Sequence, residues 1–125
     1  MDVSGLAGPA APGRPEVQVQ GSAADVPPAV GAAVYRLAQE AVTNAVRHAR
    51  DARLVSVRVT DDDHGVVVQV VDDGRRGYVG PRRPGYGLIG MAERVALLGG
   101  TLEAGPAGEQ GWTVVATLPR QAGRS

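Results

Sequence analysis

Residues 40–49 read EAVTNAVRHA, a run of Ala and Val that carries Glu40, Asn44 and His48 at four-residue intervals. Side chains four residues apart lie along one edge of one face of an α-helix. Apolar residues recur at helical spacing on both sides of this run, so we predict a helix over residues 28–50. Its predicted core face consists of Val30, Val34, Leu37, Ala38, Ala41, Val42, Ala45 and Ala49.

Glu40 and Asn44 fall at the margin of that apolar face. A polar group at such a margin is half shielded and still within reach of a ligand, so it can hold a metal or activate a water. Taken alone, the helix favours the plainer interpretation that these two residues are the first solvated positions. The segments that follow shift the balance towards a site.

Composition limits the classes of protein to consider. The 125 residues, 43% of them apolar, suffice for one domain with a real core. Thirteen Lys and Arg balance thirteen Asp and Glu, so we expect no recruitment of nucleic acid or an anionic membrane by net charge. The absence of Cys excludes disulfides, a thiolate nucleophile and a Cys-ligated zinc. No apolar run approaches the roughly 20 residues that span a bilayer, so we expect a cytoplasmic chain without membrane contact.

The remaining patterns predict alternating strands and helices with disordered ends. Residues 1–15 mix Gly, Ala and Pro without periodicity, which predicts a disordered tail or linker, and residues 121–125 a second one. The folded domain is predicted over residues 16–120. Strands are predicted over residues 16–20, 53–60, 66–72, 101–105 and 112–119, and a second helix over residues 87–100. The strand over residues 66–72 is almost wholly apolar, so we expect it near the middle of the sheet.

A glycine-dense segment, VDDGRRGYVGPRRPGYGLIGM (residues 71–91), joins that central strand to the second helix. The strand ends in paired carboxylates, and the glycines let the backbone approach a ligand closely. The following helix offers unpaired N–H groups and a positive dipole end to phosphate. Gly85-Tyr86-Gly87 alone is a weak signal, but the ordered combination of acidic helix, carboxylate strand end and glycine loop is specific.

This combination resembles the ATP-binding (Bergerat, or GHKL) fold shared by sensor histidine kinases, type II topoisomerases and heat-shock chaperone ATPases. Within it, the chain is most similar to the catalytic domain of nitrate-sensor-type histidine kinases, especially the short-lid versions common in actinobacteria. Residues 40–48 look like the N box, residues 72–77 like the first glycine box and residues 85–95 like the second. Residues 111–119 are similar to the strand that closes the sheet. The resemblance covers residues 16–119 and implies an α/β (α+β) two-layer sandwich, a mixed, mostly antiparallel sheet covered on one face by helices.

The resemblance also implies roles for individual residues. Glu40 would be the general base or would polarise a water near the γ-phosphate. Asn44 would be a Mg²⁺ ligand and Arg47 a phosphate contact. Asp72 would accept a hydrogen bond from the adenine amino group, where guanine presents a carbonyl. His48 is a further candidate for nucleotide contact, although its place inside the apolar arc favours packing or capping. The pocket floor, the lid and the start of the phosphate-facing helix would be formed by Gly74, Gly77, Gly85, Gly87, Leu88 and Gly90.

The implied activity is transfer of the γ-phosphoryl group of ATP to a histidine on a dimerisation domain, with a response regulator served indirectly. The stretch before residue 16 contains no His, so we expect this chain to need a separate phosphoacceptor domain. It could also be the cytoplasmic portion of a membrane-anchored kinase. The alternatives are an anti-sigma-factor serine kinase of the same fold and an interaction module that binds no nucleotide.

Two features leave alternatives open. Gly74 and Gly77 are separated by two residues where the first glycine box usually has one, so either the loop holds an insertion or Arg76 replaces the second glycine. Arg75, Arg76, Arg82 and Arg83 either clamp phosphates or only keep the loop soluble. Elsewhere, Asp61–Asp63 is interpreted as a solvated turn rather than a metal site, and Trp112 as a packing residue.

Overall fold

Two helices lie on one face of a five-stranded sheet in the computed structural model, which describes residues 3–23, 26–48, 52–74, 86–107 and 111–120. The helices are α1 (Pro28–His48) and α2 (Tyr86–Leu97). The strands are β1 (Glu16–Gly21), β2 (Leu54–Asp62), β3 (Gly65–Asp72), β4 (Thr101–Pro106) and β5 (Trp112–Leu118). A 3₁₀ helix covers Val3–Leu6.

The sheet has the strand order β1-β2-β3-β5-β4, with β3 in the middle. Strand β1 runs parallel to β2, and every other neighbouring pair is antiparallel. The prediction of a mixed, mostly antiparallel sheet covered on one face by helices is therefore confirmed. Strand β2 is longer than predicted because Asp61 and Asp62 pair with Val66 and Gly65, which shortens the turn to Asp63 and His64.

The core lies between the helices and one face of the sheet. Alternate residues of β3 are buried, as expected for a strand with one covered face. On α1, every predicted core residue that the structure describes is buried. The sheet contributes Val17, Val55, Val57, Val59, Val66, Val68, Val70, Val114, Ala116 and Leu118 to the same cluster, and α2 contributes Met91 and Val95.

The connection β1-α1-β2 decides which end of α1 lies near which end of the sheet. Because β1 and β2 are parallel, the intervening helix runs back across the sheet before β2 begins. Only residues 49–53 separate the two elements, which limits the distance from His48 to Leu54 to about 20 Å. The C-terminal half of α1 therefore lies at the end of the sheet where β2 begins and β3 ends.

The N-terminal segment differs from its prediction as a disordered tail. Val3 is 4% exposed and belongs to the core cluster, and Leu6 packs against that cluster. The chain then follows the edge of the sheet, where Gly8 and Val17 exchange backbone hydrogen bonds of 2.9 and 3.0 Å. The prediction failed because a four-residue 3₁₀ helix is too short to show a repeating apolar pattern. Only two of its residues, Val3 and Leu6, pack against the core.

In the part of the chain that the structure describes, neither helix is long and apolar enough to cross a bilayer. Residues 121–125, predicted to be a tail, lie outside the described residues.

Candidate functional site

Asp72 ends the central strand and faces the helices. Burial alternates along β3, so Asp72 shares its face with the core residues Val66, Val68 and Val70. Its neighbours across the sheet are Val55 on β2 and Trp112 on β5. Asp72 is 7% exposed, and among the residues that the structure describes no other charged residue is buried. A charge in this position needs polar partners, and the Gly74 N–H donates to Asp72 Oδ1 over 2.9 Å.

Gly111 closes the backbone around this carboxylate. Its N–H donates to the Gly74 carbonyl over 2.8 Å, which joins the start of β5 to the segment after β3. Its φ is +92°, and a Cβ there would stand 2.4 Å from the Asp72 carbonyl oxygen. Only glycine fits this conformation at this distance. No local pattern marks this role, because the contact joins segments that are distant along the chain.

The adjacent carboxylate has a different task. Asp73 is exposed, and its Oδ1 accepts hydrogen bonds from Arg53 N (2.8 Å) and Leu54 N (3.0 Å). These bonds satisfy backbone donors at the start of β2. Of the two carboxylates at this strand end, the structure therefore buries Asp72 and uses Asp73 to fix the neighbouring strand.

Helix α1 carries the other predicted residues along its C-terminal half. Glu40 and Asn44 are half-buried, which confirms that they lie at the margin of the apolar face, and Arg47 is exposed. His48 is the last residue of α1, and its side chain is outside the described part of the structure. The C-terminal end of α1 and Asp72 thus lie toward the same end of the sheet.

Among the residues that the structure describes, Glu40 forms ion pairs with two arginines. One partner is Arg94 of α2, whose Nη2 donates to Glu40 Oε1. The other is Arg36, one turn earlier on α1, with Nε 3.5 Å from the same oxygen. The sequence missed Arg94 because 54 residues separate it from Glu40 and no local pattern marks the pair.

The glycines of the predicted loop are only partly described. Gly87 and Leu88 lie in the first turn of α2, which begins at Tyr86, while Gly77 and Gly85 lie outside the described residues. Gly90 was predicted near the start of the phosphate-facing helix and lies early in α2, with Arg94 Nη1 3.4 Å from where a Cβ on Gly90 would be. The four loop arginines considered in the sequence also lie outside the described residues.

The acidic run Asp61–Asp63 forms part of the β2–β3 hairpin. Asp62 Oδ1 accepts hydrogen bonds from His64 N (2.8 Å) and Gly65 N (3.1 Å), and these bonds hold the pKa of Asp62 below its ordinary value. Asp61 pairs with Arg120. Asp62 therefore organises the turn, whereas Asp61 joins the end of β2 to Arg120, which follows β5. Trp112 packs against the core as predicted.

Comparison with known proteins agrees with this fold. Residues 29–122 match the family described as histidine kinase-, DNA gyrase B- and HSP90-like ATPase. The chain resembles the solved histidine kinase domain of the blue-light-activated histidine kinase EL346 from Erythrobacter litoralis, at 29% identity and a TM-score of 0.67 over 83% of this chain and 54% of that one. It also resembles the ATP-binding domain of PrrB from Mycobacterium tuberculosis, at 25% identity and a TM-score of 0.66 over 87% of this chain and 82% of that one.

Two helices on one face of a five-stranded mixed sheet are thus the fold that this chain shares with solved histidine kinase ATP-binding domains. The chain belongs to the family of histidine kinase-, DNA gyrase B- and HSP90-like ATPases. A curated relative is the sensor histidine kinase YxjM of Bacillus subtilis (strain 168), 37% identical over 93 residues. The alignment covers 74% of this chain and 22% of YxjM, so the chain spans about a fifth of that relative's length.

Proposed function

We propose that this chain is the ATP- and Mg²⁺-binding catalytic domain of a two-component sensor histidine kinase of the nitrate-sensor type, similar to those of actinobacteria. The observation that carries the proposal is the buried Asp72 at the end of the central strand, on the face that the helices cover. Its carboxylate would accept a hydrogen bond from the adenine amino group and would discriminate against guanine, which presents a carbonyl there. The kinase would act in the cytoplasm, on its own or as the cytoplasmic part of a membrane-anchored protein.

The donor set of the site fits a nucleotide with its metal. Mg²⁺ prefers hard oxygen ligands and keeps several waters, so one amide oxygen from Asn44 beside phosphate oxygens would suffice. Arg47 is exposed at the same end of α1 and would contact phosphate. The N-terminus of α2, with Gly87 and Leu88, would supply backbone N–H groups. The bound ion would supply neutralisation of the phosphate charge.

The reaction proposed for this site is transfer of a phosphoryl group to an imidazole. The imidazole nitrogen forms the bond to phosphorus, the bond to the β–γ bridging oxygen breaks, and ADP leaves. The other ring N–H proton passes to Glu40, the proposed general base. Little covalent chemistry falls to the protein, so the rate depends on positioning and on charge neutralisation. The imidazole would come from a histidine-bearing dimerisation domain, and a response regulator would receive the phosphoryl group afterwards.

A transfer assay tests this proposal. The full chain is incubated with Mg²⁺, ATP labelled at the γ-phosphate, and a histidine-bearing helical hairpin. We expect label on the hairpin that is lost in acid and kept in alkali, as for a phosphoramidate, and about 10- to 100-fold weaker ATP binding in Asp72→Asn, which loses a hydrogen bond to a charged group. Acid-stable label on a serine of a sigma-factor system would instead indicate the anti-sigma kinase, and no saturable ATP binding would indicate an interaction module.

A further inference from the structure

Glu40 is held from two sides, and the two arginines differ in kind. Arg36 lies on the same helix with a side chain that is 64% exposed, so its ion pair is solvated and weak. Arg94 comes from the other helix, and its side chain is 34% exposed against 27% for Glu40. Within the described ranges, this second pair is the charged contact that joins α1 to α2.

The path of the Arg94 side chain is set by packing. Gly90 lies one turn earlier on α2, and the guanidinium occupies the space above it, with Nη1 3.4 Å from the position of a Cβ. The Arg94 Nε is buried and has no hydrogen-bond partner within the described ranges. A buried donor without a partner costs free energy. A lysine at position 94 would reach the carboxylate without burying an unpaired N–H group. The planar guanidinium can instead fix the orientation of the carboxylate it binds, because its N–H groups point in fixed directions.

We propose that Arg94 is the positioning residue of the Glu40 carboxylate, and that Gly90 provides the room its guanidinium needs. The inference rests on the proposed function, in which Glu40 is the base. A rotatable glutamate at a helix margin samples several orientations, whereas one bonded to a packed guanidinium is fixed near the geometry that proton transfer requires. Because α2 begins directly after the glycine-dense segment, the same contact joins the base to the helix that would receive the phosphates.

Three variants of the full chain test the role of Arg94. Arg94→Gln removes the charge and the fork, Arg94→Lys keeps the charge alone, and Arg36→Gln is the matched control that removes a positive charge from the exposed side of the same carboxylate. The measurements are the melting temperature, the ATP Kd in the presence of Mg²⁺, and the kcat of phosphoryl transfer to a histidine-bearing helical hairpin. Glu40→Gln and the Glu40→Gln/Arg94→Gln double variant complete a thermodynamic cycle.

We expect Arg94→Gln to lower kcat about tenfold or more with an ATP Kd within about threefold of wild type, since the base is misplaced and the nucleotide contacts remain. Arg94→Lys should recover only part of kcat, and Arg36→Gln should change it less than about twofold. The melting temperature of the double variant should fall by less than the sum of the two single shifts, because the two residues act through each other.

Several results would overturn the inference. Additive melting-temperature shifts would show that the pair does not form. A lower melting temperature with unchanged kcat in Arg94→Gln would show that the contact only stabilises the packing of the two helices. A loss of ATP affinity in Arg94→Gln as large as its loss of kcat would show that Arg94 binds the nucleotide. Failure of the proposed function is separate, because a wild-type chain that binds no ATP contradicts that function while the thermodynamic cycle still reports on the pair.

Discussion

The backbone of Gly111 packs against Asp72, the residue proposed to bind adenine, so the conformation of the glycine affects the position of that carboxylate. The glycine has a left-handed φ of +92° and a Cβ there would stand 2.4 Å from the Asp72 carbonyl oxygen. Any side chain at this position would therefore displace the strand end that holds the buried carboxylate. Stability and nucleotide affinity should fall together.

Gly111→Ala should lower the free energy of unfolding by about 1–3 kcal/mol, the usual cost of a non-glycine residue in a strained conformation. The measurement is urea unfolding followed by circular dichroism. Gly105→Ala is the matched control, since Gly105 lies on the neighbouring strand and a Cβ there meets no atom within 4 Å. Equal stability of the two variants would contradict the close approach at Gly111.

Asp62 gives the molecule an acid-sensitive turn. Hydrogen bonds from His64 N and Gly65 N lower its pKa below the ordinary 3.8, so the carboxylate stabilises the fold fully above the unfolded pKa. That contribution disappears as the pH falls below 3.8 and through the folded pKa. Asp62→Ala should therefore melt below wild type at pH 6, and the difference should narrow progressively below pH 4.

Asp62→Asn separates hydrogen bonding from charge in this turn. Its amide oxygen accepts the same backbone bonds but does not titrate, so it should melt between wild type and Asp62→Ala at neutral pH. A gap between wild type and Asp62→Ala that stays constant down to pH 3 would exclude the proposed linkage.

At the scale of elements, the N-terminal segment belongs to the domain. Val3 fills part of the core, and the backbone of Gly8 pairs with Val17 on the edge strand β1. Val3→Ala should cost about 1–2 kcal/mol of unfolding free energy, because two methyl groups worth roughly 0.8 kcal/mol each leave the core. Leu97→Ala is the control: Leu97 is 82% exposed, and we expect a change within about 0.5 kcal/mol. Identical unfolding curves for both variants would show that the N-terminal segment does not contribute to the stability of the fold.

The elements that the sequence predicted well are those with a long internal period. Helix α1 repeats its apolar residues over six turns, and β3 is nearly continuous in valine, so each pattern has one physical solution. The margin positions of Glu40 and Asn44 follow from the same period. Contacts between distant segments leave no such trace: neither the Glu40–Arg94 pair nor the approach of Gly111 to Asp72 is visible before the sheet is assembled.

At the scale of the whole molecule, the order of the strands creates the candidate site. The parallel β1–β2 pair sends the C-terminal half of α1 to the end of the sheet where β3 stops. The antiparallel β5 then brings Gly111 to the same end. The C-terminal end of α1, a buried carboxylate and the glycine packed against it thus lie at one end of the sheet, although they come from three separate parts of the chain.

Calorimetric titration of the full chain with Mg²⁺ and ATP tests the central claim, that Asp72 selects adenine in a site shared with α1. We expect one saturable ATP site in wild type, GTP binding weaker by about tenfold or more, and loss of this preference in Asp72→Asn but not in Asp73→Asn, whose side chain bonds only to backbone N–H groups in the described structure. Equal affinity of wild type and Asp72→Asn for ATP would contradict the account.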